Sequence, residues 1–239
     1  MARSAPAPST WTTCWPDASV AARIGKPVNV MIEILPRGSF PSPTPVGGRV
    51  GRLELMTQPA LAYRWSQSEF VRASEAEAFD HRVELVEGEI WPVVIGSWHG
   101  DTVGQLLASL PRSEVRVTTA TLPTGASLPD PDCWVRRADA DPVGIVGSRL
   151  SIWDASDVLL VVEVADETMI QDLNIKARLY GQAGYPVYWV ITQEAIYEHT
   201  GPIATGYRTR VEYLHGERIP VPYTDADLAI DDLIAPRPA

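Results

Sequence analysis

A nearly unbroken run of apolar residues, VLLVVEV, occupies residues 158–164. Its branched side chains do not alternate with polar ones, which predicts a strand that is buried on both faces. A second run of this kind, VYWVI, occupies residues 187–191. Asp166 and Thr168 are candidate caps for a helix between the two runs, and Gly184 is its candidate stop. The pattern predicts a buried strand, an amphipathic helix and a second buried strand around which the chain is organised.

Shorter patterned segments flank this unit and predict helices, a hairpin and short strands. Before the unit we expect a helix over residues 65–78, a hairpin over 82–94, a helix over 97–110 and a strand over 115–122. After it we expect strands over residues 195–199, 208–215 and 219–222, and a terminal strand or short helix over 225–234. The segment at residues 137–156 contains Asp, Gly and Pro, and is expected to be a surface loop.

Residues 1–55 differ from the rest of the chain in composition. They are rich in Pro, Ser, Gly and Ala, with one short apolar island at residues 28–35. Such a segment buries too little surface to offset its ordering entropy. We therefore expect a disordered extension, or a true translation start at Met56, followed by one folded domain over residues 56–239. The alternative is that residues 28–35 add an edge strand.

Composition narrows the class of protein. A hydrophobic content of 45% and a net charge of −10 describe an ordinary globular chain that does not wrap nucleic acid non-specifically. Cys14 and Cys133 lie far apart, which indicates neither a disulfide framework nor a zinc site. No run is long enough to span a membrane and no secretory signal is present, so a cytoplasmic location is expected. The absence of GxGxxG, P-loop and G-x-S-x-G motifs argues against dehydrogenases, P-loop ATPases and α/β-hydrolases.

Glu163 interrupts the first buried strand with a carboxylate. A buried carboxylate stays neutral, finds a cation or binds a metal, because an unpaired charge there is costly. In the following helix Asp172, Lys176 and Tyr180 are spaced by four residues and share one face. Lys176 is one of only two lysines, the other being Lys26, against eighteen arginines. A lysine is a compact charge on a flexible stem that reaches a buried anion or a phosphate.

Three other polar positions have ordinary structural interpretations. Periodicity alone favours a solvent-facing position for Glu84 in the first hairpin strand. His99 lies in a first helical turn, where a lone histidine is more often structural than a ligand. Asp130 and Asp132 flank a proline before a short strand, and acidic residues beside proline commonly form turns.

Taken in order, these segments resemble the Uma2 family, a large bacterial group assigned to the PD-(D/E)XK nuclease-like superfamily. The matching blocks are VELVEGEI, the helix with His99, LPDPDCWV, LLVVEVADET, and D-x3-K-x3-Y before AGYPVYWVI. The resemblance covers about residues 60–235. It implies a mixed α/β fold with a restriction-endonuclease-like core, in which helices flank a central sheet and an acidic cluster lies at one edge.

The resemblance also implies the site residues. The family positions fall on Glu84, Asp132, Glu163 and Lys176. Asp130 is the less favoured register for the aspartate. The superfamily usually places its lysine two residues after the glutamate, where this chain has Ala165, so Lys176 would supply the charge from the following helix instead.

Phosphodiester cleavage by such a site requires a hard cation, and Mg²⁺ (or Mn²⁺ in its place) is the expected cofactor. The implied metal ligands are Asp132, Glu163 and the backbone carbonyl of Val164. Glu84 would complete the acidic wall, and Lys176 would stabilise charge on the phosphate. The residues expected to support these groups are His99, Asp172 and Tyr180, and a purely structural role for the last two is equally open.

Three functions remain open at this point. The first is a metal-dependent endonuclease acting on DNA. The resemblance leaves a homodimer as an option, because superfamily enzymes are often dimers in which each subunit cuts one strand. The second is a catalytically silent nuclease-fold module that binds nucleic acid or a protein partner, which the acidic net charge favours. The third is a purely structural or oligomer-forming protein.

Overall fold

The computed structural model describes residues 63–113, 115–166 and 168–236, which lie within the unit Gln58–Ala239. The predictions for residues 1–55, including the start at Met56 and the edge strand at residues 28–35, lie outside the described residues. In chain order the strands are β1 (Val83–Val86), β2 (Glu89–Pro92), β3 (Val115–Thr118), β4 (Cys133–Arg137), β5 (Gly144–Val146), β6 (Leu150–Ile152), β7 (Val158–Val164), β8 (Val187–Ile191), β9 (Ala195–Ile203), β10 (Gly206–Leu214), β11 (Arg218–Pro220) and β12 (Asp227–Ala229). The helices are α1 (Gln67–Glu75), α2 (Ser97–Ser109), α3 (Met169–Gln171), α4 (Ala177–Ala183) and α5 (Ile230–Leu233), with a 3₁₀ turn at Ala155–Asp157 and a π-helical turn at Asp172–Lys176.

Six strands form a central mixed sheet in the order β10-β9-β8-β7-β4-β3. β7 and β8 run parallel, and every other neighbouring pair in this sheet is antiparallel. A parallel pair needs a crossover connection, and here the segment α3–π turn–α4 supplies it. The predicted strand–helix–strand unit and the mixed α/β class are confirmed, with both buried strands at the predicted bounds.

The two faces of β7 pack against different helices. Val162 belongs to a core cluster that includes Trp98 of α2, whereas Val161 belongs to a second cluster that includes Tyr180 of α4. Because side chains alternate along a strand, Glu163 points to the same face as Val161. The α4 side of the sheet is therefore where the buried carboxylate lies.

The segment that follows β7 contains a π-helical turn at Asp172–Lys176 that the sequence did not predict. π-Helical turns are rare in proteins, and those that occur often lie at functional sites. The helix ends at Gly184 in the left-handed conformation, as predicted. Gly181 permits a close approach, since a Cβ there would lie 2.1 Å from the carbonyl oxygen of Gly206. Helix α4 thus packs directly on the start of β10.

The predictions for the first half of the chain are largely confirmed. Helix α1 begins at Ser66 with the expected capping box to Glu69. Strands β1 and β2 form the expected hairpin, and Glu87 and Gly88 both have positive φ angles in its turn. Helix α2 carries His99 in its first turn, as predicted.

Other expectations need correction. The segment at 137–156 was expected to be a loop, but it contains the small hairpin of β5 and β6. The strand predicted over 115–122 ends at Thr118, and β9 continues beyond the predicted end to Ile203. The last predicted element is both a strand, β12, and a short helix, α5. Every helix in the described part of the chain is too short or too polar to cross a membrane.

Candidate active site

The charged centre of the site is the side chain of Lys176, which is only 6% exposed. Its Nζ lies 3.0 Å from Glu163 Oε1 and 3.0 Å from Glu84 Oε1. The hydroxyl of Tyr180 also donates to Glu163 Oε1, at 2.8 Å. The helix face predicted from the spacing of Lys176 and Tyr180 therefore covers the buried carboxylate of β7.

Glu84 reaches this centre from the β1–β2 hairpin. It is buried, so the solvent-facing position expected from periodicity is wrong. The hairpin packs over the helix that follows β7, and an ion pair between Arg178 of α4 and Glu87 of the hairpin turn, at 2.8 Å, ties the two together. The backbone amide of Asp130 donates to the second oxygen of Glu84 at 3.0 Å. Glu84 is held between two elements that are remote in sequence.

Asp172 is the third carboxylate around the lysine, with Oδ1 3.7 Å from Lys176 Nζ. Its other oxygen accepts a hydrogen bond of 2.5 Å from the hydroxyl of Thr168, one turn earlier. Thr168 was predicted only as a helix cap. The spacing of four residues between Thr168 and Asp172 was the available signal for their contact.

Burial and charge act in opposite directions on these groups. Burial raises the pKa of Glu163 well above its usual range and also raises that of Asp172, with Lys176 opposing both shifts. Burial alone would lower the pKa of Lys176, but the carboxylates of Glu163, Glu84 and Asp172 outweigh it and raise the pKa. The lysine therefore stays protonated, and three carboxylates share one ammonium ion. The cluster has an excess of negative charge that a proton or a further cation would offset.

Asp132 lies beside this cluster with a different set of partners. Both of its oxygens are 3.0 Å from Nε2 of His99 in α2, and the backbone amide of Val164 donates to Oδ2 at 2.7 Å. Nδ1 of His99 is buried and has no hydrogen-bond partner among the described residues. His99 and the end of β7 thus orient the carboxylate of Asp132, which keeps partial exposure.

Asp130, the less favoured register for the family aspartate, points elsewhere. Its carboxylate accepts from Arg82 Nε at 2.8 Å and from the Thr121 hydroxyl at 2.7 Å. Its side chain therefore holds the hairpin and the β3–β4 connection, while its backbone amide serves Glu84. The structure brings Asp132, and not the Asp130 carboxylate, to the end of β7.

The described residues contain no group of three or more His, Cys, Asp or Glu side chains arranged to hold a metal ion. Cys133 pairs with Val162, so the next position sets Asp132 across from Glu163 at the ends of neighbouring strands. Two carboxylates and a backbone carbonyl are the number and type of protein ligands that Mg²⁺ takes together with several waters. The donor set fits Mg²⁺ in its chemistry, although one oxygen of Glu163 is already engaged by Lys176 and Tyr180.

Comparison with known proteins identifies the family of this chain. The model of the family described as "Uma2: Putative restriction endonuclease" matches residues 68–230, more than half of the chain. The chain therefore belongs to the Uma2 family, whose description is that of a putative restriction endonuclease.

The solved structures that are similar to the chain include one described as a "putative nuclease belonging to DUF820" from Anabaena variabilis, with a TM-score of 0.49 and 15% sequence identity, over 71% of this chain and 97% of that one. A search of the curated proteins found no match.

Proposed function

We propose that this protein is a metal-dependent endonuclease that hydrolyses phosphodiester bonds in DNA. The observation that carries the proposal is the strand register that sets Asp132 across from Glu163, whose carboxylate contacts the buried Lys176. Acidic residues of this type hold a hard cation, and a lysine beside them supplies positive charge for a phosphate. The family match covers all three residues.

In this proposal Asp132, Glu163 and the carbonyl of Val164 hold Mg²⁺, or Mn²⁺ in its place. Such a cation polarises a phosphate and lowers the pKa of a bound water. His99 and the Val164 amide keep the Asp132 carboxylate in one orientation, because both of its oxygens are engaged. Fixed ligands of this kind need no reorganisation when substrate arrives.

Lys176 is proposed to stabilise the charge on the phosphate. Its ammonium group is buried among Glu84, Glu163 and Asp172, so a phosphate contacts it only after one of these carboxylates moves aside. Glu84 is the carboxylate suited to this exchange, because it belongs to a separate hairpin, whereas Asp172 lies on the same helical segment as the lysine. Tyr180 keeps Glu163 in place meanwhile through its hydrogen bond.

A calorimetric titration of Mg²⁺ and Mn²⁺ tests the proposal, combined with a plasmid-nicking assay on the same samples. We expect metal binding by the wild type and its loss in the double variant Asp132→Ala/Glu163→Ala. Nicking should fall by more than about 100-fold, since even a residue that only supports a ligand is worth about 10- to 100-fold in affinity or activity. The matched control is Asp130→Asn, two residues before Asp132, which should keep both metal binding and nicking. Wild-type protein that binds neither metal and leaves duplex and single-stranded DNA intact would overturn the proposal.

The arrangement of the lysine favours a second function, a nuclease-fold module that binds nucleic acid or a protein partner without cutting it. In the described residues Lys176 is fully engaged by carboxylates, and no group of three side chains is arranged as a metal site. DNA binding by the wild type that is unchanged by Mg²⁺, Mn²⁺ or the double substitution, with no cleavage, would support this function over the first.

A further inference from the structure

The two edges of the central sheet differ greatly in length. One edge is β3, with four residues, and the other is β10, with nine. In the described part of the chain no strand pairs with the outer side of β10. Residues 208–212 of β10 are all exposed, including Val211 at 41%. A long, exposed edge presents unpaired backbone donors and acceptors to any strand that matches it.

The charges along β10 select among possible partners. Proteins commonly protect an edge with charged side chains, which repel a second copy when the charges have the same sign. Here the charges are mixed in sign, because Arg208 and Arg210 are positive and Glu212 is negative. Arg210 and Glu212 are both held by Tyr197 of β9, through a cation–π contact of 5.6 Å and a side-chain hydrogen bond. The charges of Arg210 and Glu212 are therefore oriented as well as opposite in sign.

A second copy of the same strand fits this pattern in one antiparallel register. Centring the pair on Arg210 places each Arg208 opposite a Glu212 but sets the two Arg210 side chains against each other. Centring it on Glu212 sets two glutamates against each other. Centring it on Val211 places each Arg210 opposite a Glu212 and the exposed Val211 opposite its own copy. Opposite charges across a strand pair are favourable and like charges are unfavourable. The register centred on Val211 has two favourable pairs and no repulsive one.

We propose that β10 is a dimerisation edge, at which two copies of this chain pair antiparallel about Val211 and join their central sheets into one. The interface is a short strand pair, so its dissociation constant lies in the micromolar range of weak, transient interfaces, roughly 1–100 µM. Strands β8 and β9 separate β10 from β7, so pairing at this edge leaves Glu163 and its neighbours uncovered. The dimer does not depend on the proposed nuclease function and is tested without any activity.

Sedimentation equilibrium of the full chain, over a concentration range from well below to well above the expected dissociation constant, gives the first test. Glu212→Arg turns both favourable pairs into repulsive ones and should weaken dimerisation by about tenfold or more. The substitution also makes the net charge less negative than −10. General repulsion between acidic chains would therefore become weaker, which predicts tighter dimerisation. The two explanations therefore differ in sign.

Two further variants test the register. Arg210→Glu combined with Glu212→Arg restores both pairs with exchanged signs, and should return the dissociation constant to within about threefold of the wild type. Arg208→Glu should have little effect, because position 208 faces Leu214 in the proposed register. If Arg208→Glu weakens the dimer as strongly as Glu212→Arg, the register centred on Val211 is wrong.

Cross-linking tests the central contact directly. In a Cys14→Ser background, Val211→Cys places two thiols opposite each other, within the Cα separation of about 4.4–6.8 Å that a disulfide needs. Mild oxidation should give a covalent dimer, and the same background without Val211→Cys should give none, since Cys133 is buried. A full-length chain that stays monomeric throughout the concentration range and forms no cross-link would overturn the proposal.

Discussion

Two buried polar clusters lie next to each other on the α4 side of the central sheet. The Lys176 cluster consists of Glu84, Glu163, Asp172, Lys176 and Tyr180, and the His199 cluster consists of Tyr188, His199 and Tyr207. The ring of Tyr180 lies 5.0 Å from that of Tyr188, so the clusters adjoin. The first is held together by ion pairs, and the second by stacked rings.

The clusters also differ in how their polar atoms are satisfied. Nζ of Lys176 has three carboxylate partners, whereas Nδ1 of His199 and the hydroxyl of Tyr207 have no partner among the described residues. Burial lowers the pKa of His199 to about 4, so its ring is neutral at pH 7. A neutral ring tolerates burial at modest cost, but a buried ammonium does not. The stability of the Lys176 cluster therefore depends on its charged partners, whereas the His199 cluster depends mainly on how its rings pack.

The largest difference between the two clusters is expected when the central charge, that of Lys176, is removed. Lys176→Met leaves three buried carboxylates without a cation and should lower the free energy of unfolding by about 3–5 kcal/mol. His199→Phe keeps a planar ring and removes an unpartnered atom, so its effect should stay within about 1 kcal/mol. Urea unfolding of both variants at pH 7 measures the difference. Equal, small losses would mean that the Lys176 cluster is neutral in the folded protein.

A smaller effect is expected from replacing His99, whose Nδ1, like that of His199, has no partner in the part of the chain that the structure describes. His99 Nε2 contacts Asp132, so His99→Leu should weaken Mn²⁺ binding by about 10- to 100-fold, the usual effect of losing a group that orients a ligand. His99→Gln carries an amide nitrogen near the position of Nε2 and should recover most of the affinity, whereas His99→Asn should not. His199→Leu is the control and should leave metal binding unchanged. Equal Mn²⁺ affinities of all four variants in calorimetry would contradict the role of His99 in orienting Asp132.

The last effect concerns pH and arises only below about pH 6.5. The folded pKa of His199, about 4, lies below the ordinary value of 6.5, so the unfolded chain takes up the proton first as pH falls. The contribution of His199 to stability is therefore constant above about pH 6.5 and declines between 6.5 and 4, by at most about 1.4 kcal/mol per pH unit. His199→Phe should remove this slope. The measurement is the difference in unfolding free energy between wild type and variant at several pH values; a constant difference would contradict the prediction.

The local structure was largely predictable from sequence patterns. The run at Val158–Val164 has only one polar residue, so a buried strand there follows from composition and spacing. Ser66 with Glu69, and Gly184 at the helix end, are signals that act over three or four residues. Such signals survive in the folded protein because the groups that they satisfy are neighbours along the chain.

The site was predictable only in part. The spacing of Lys176 and Tyr180 placed them on one helix face, and Glu163 identified the buried carboxylate that they contact. Glu84 was different, because strand periodicity predicted a solvent-facing position, whereas the family resemblance placed it in the site, and the structure buries it. Periodicity describes one hairpin by itself and carries no information about the helix that packs over it.

The sequence by itself determined the β7–helix–β8 unit, the buried carboxylate of β7 and the lysine spaced to reach it. Tertiary structure alone decided that Glu84 shares this lysine, that His99 orients Asp132, and that the residues of the helical segment include a π turn. The physical reason is the range of the interactions. Hydrophobic periodicity and helix spacing act within a few residues, whereas the contacts of Glu84 and His99 depend on how distant elements pack, and packing is a property of the whole fold.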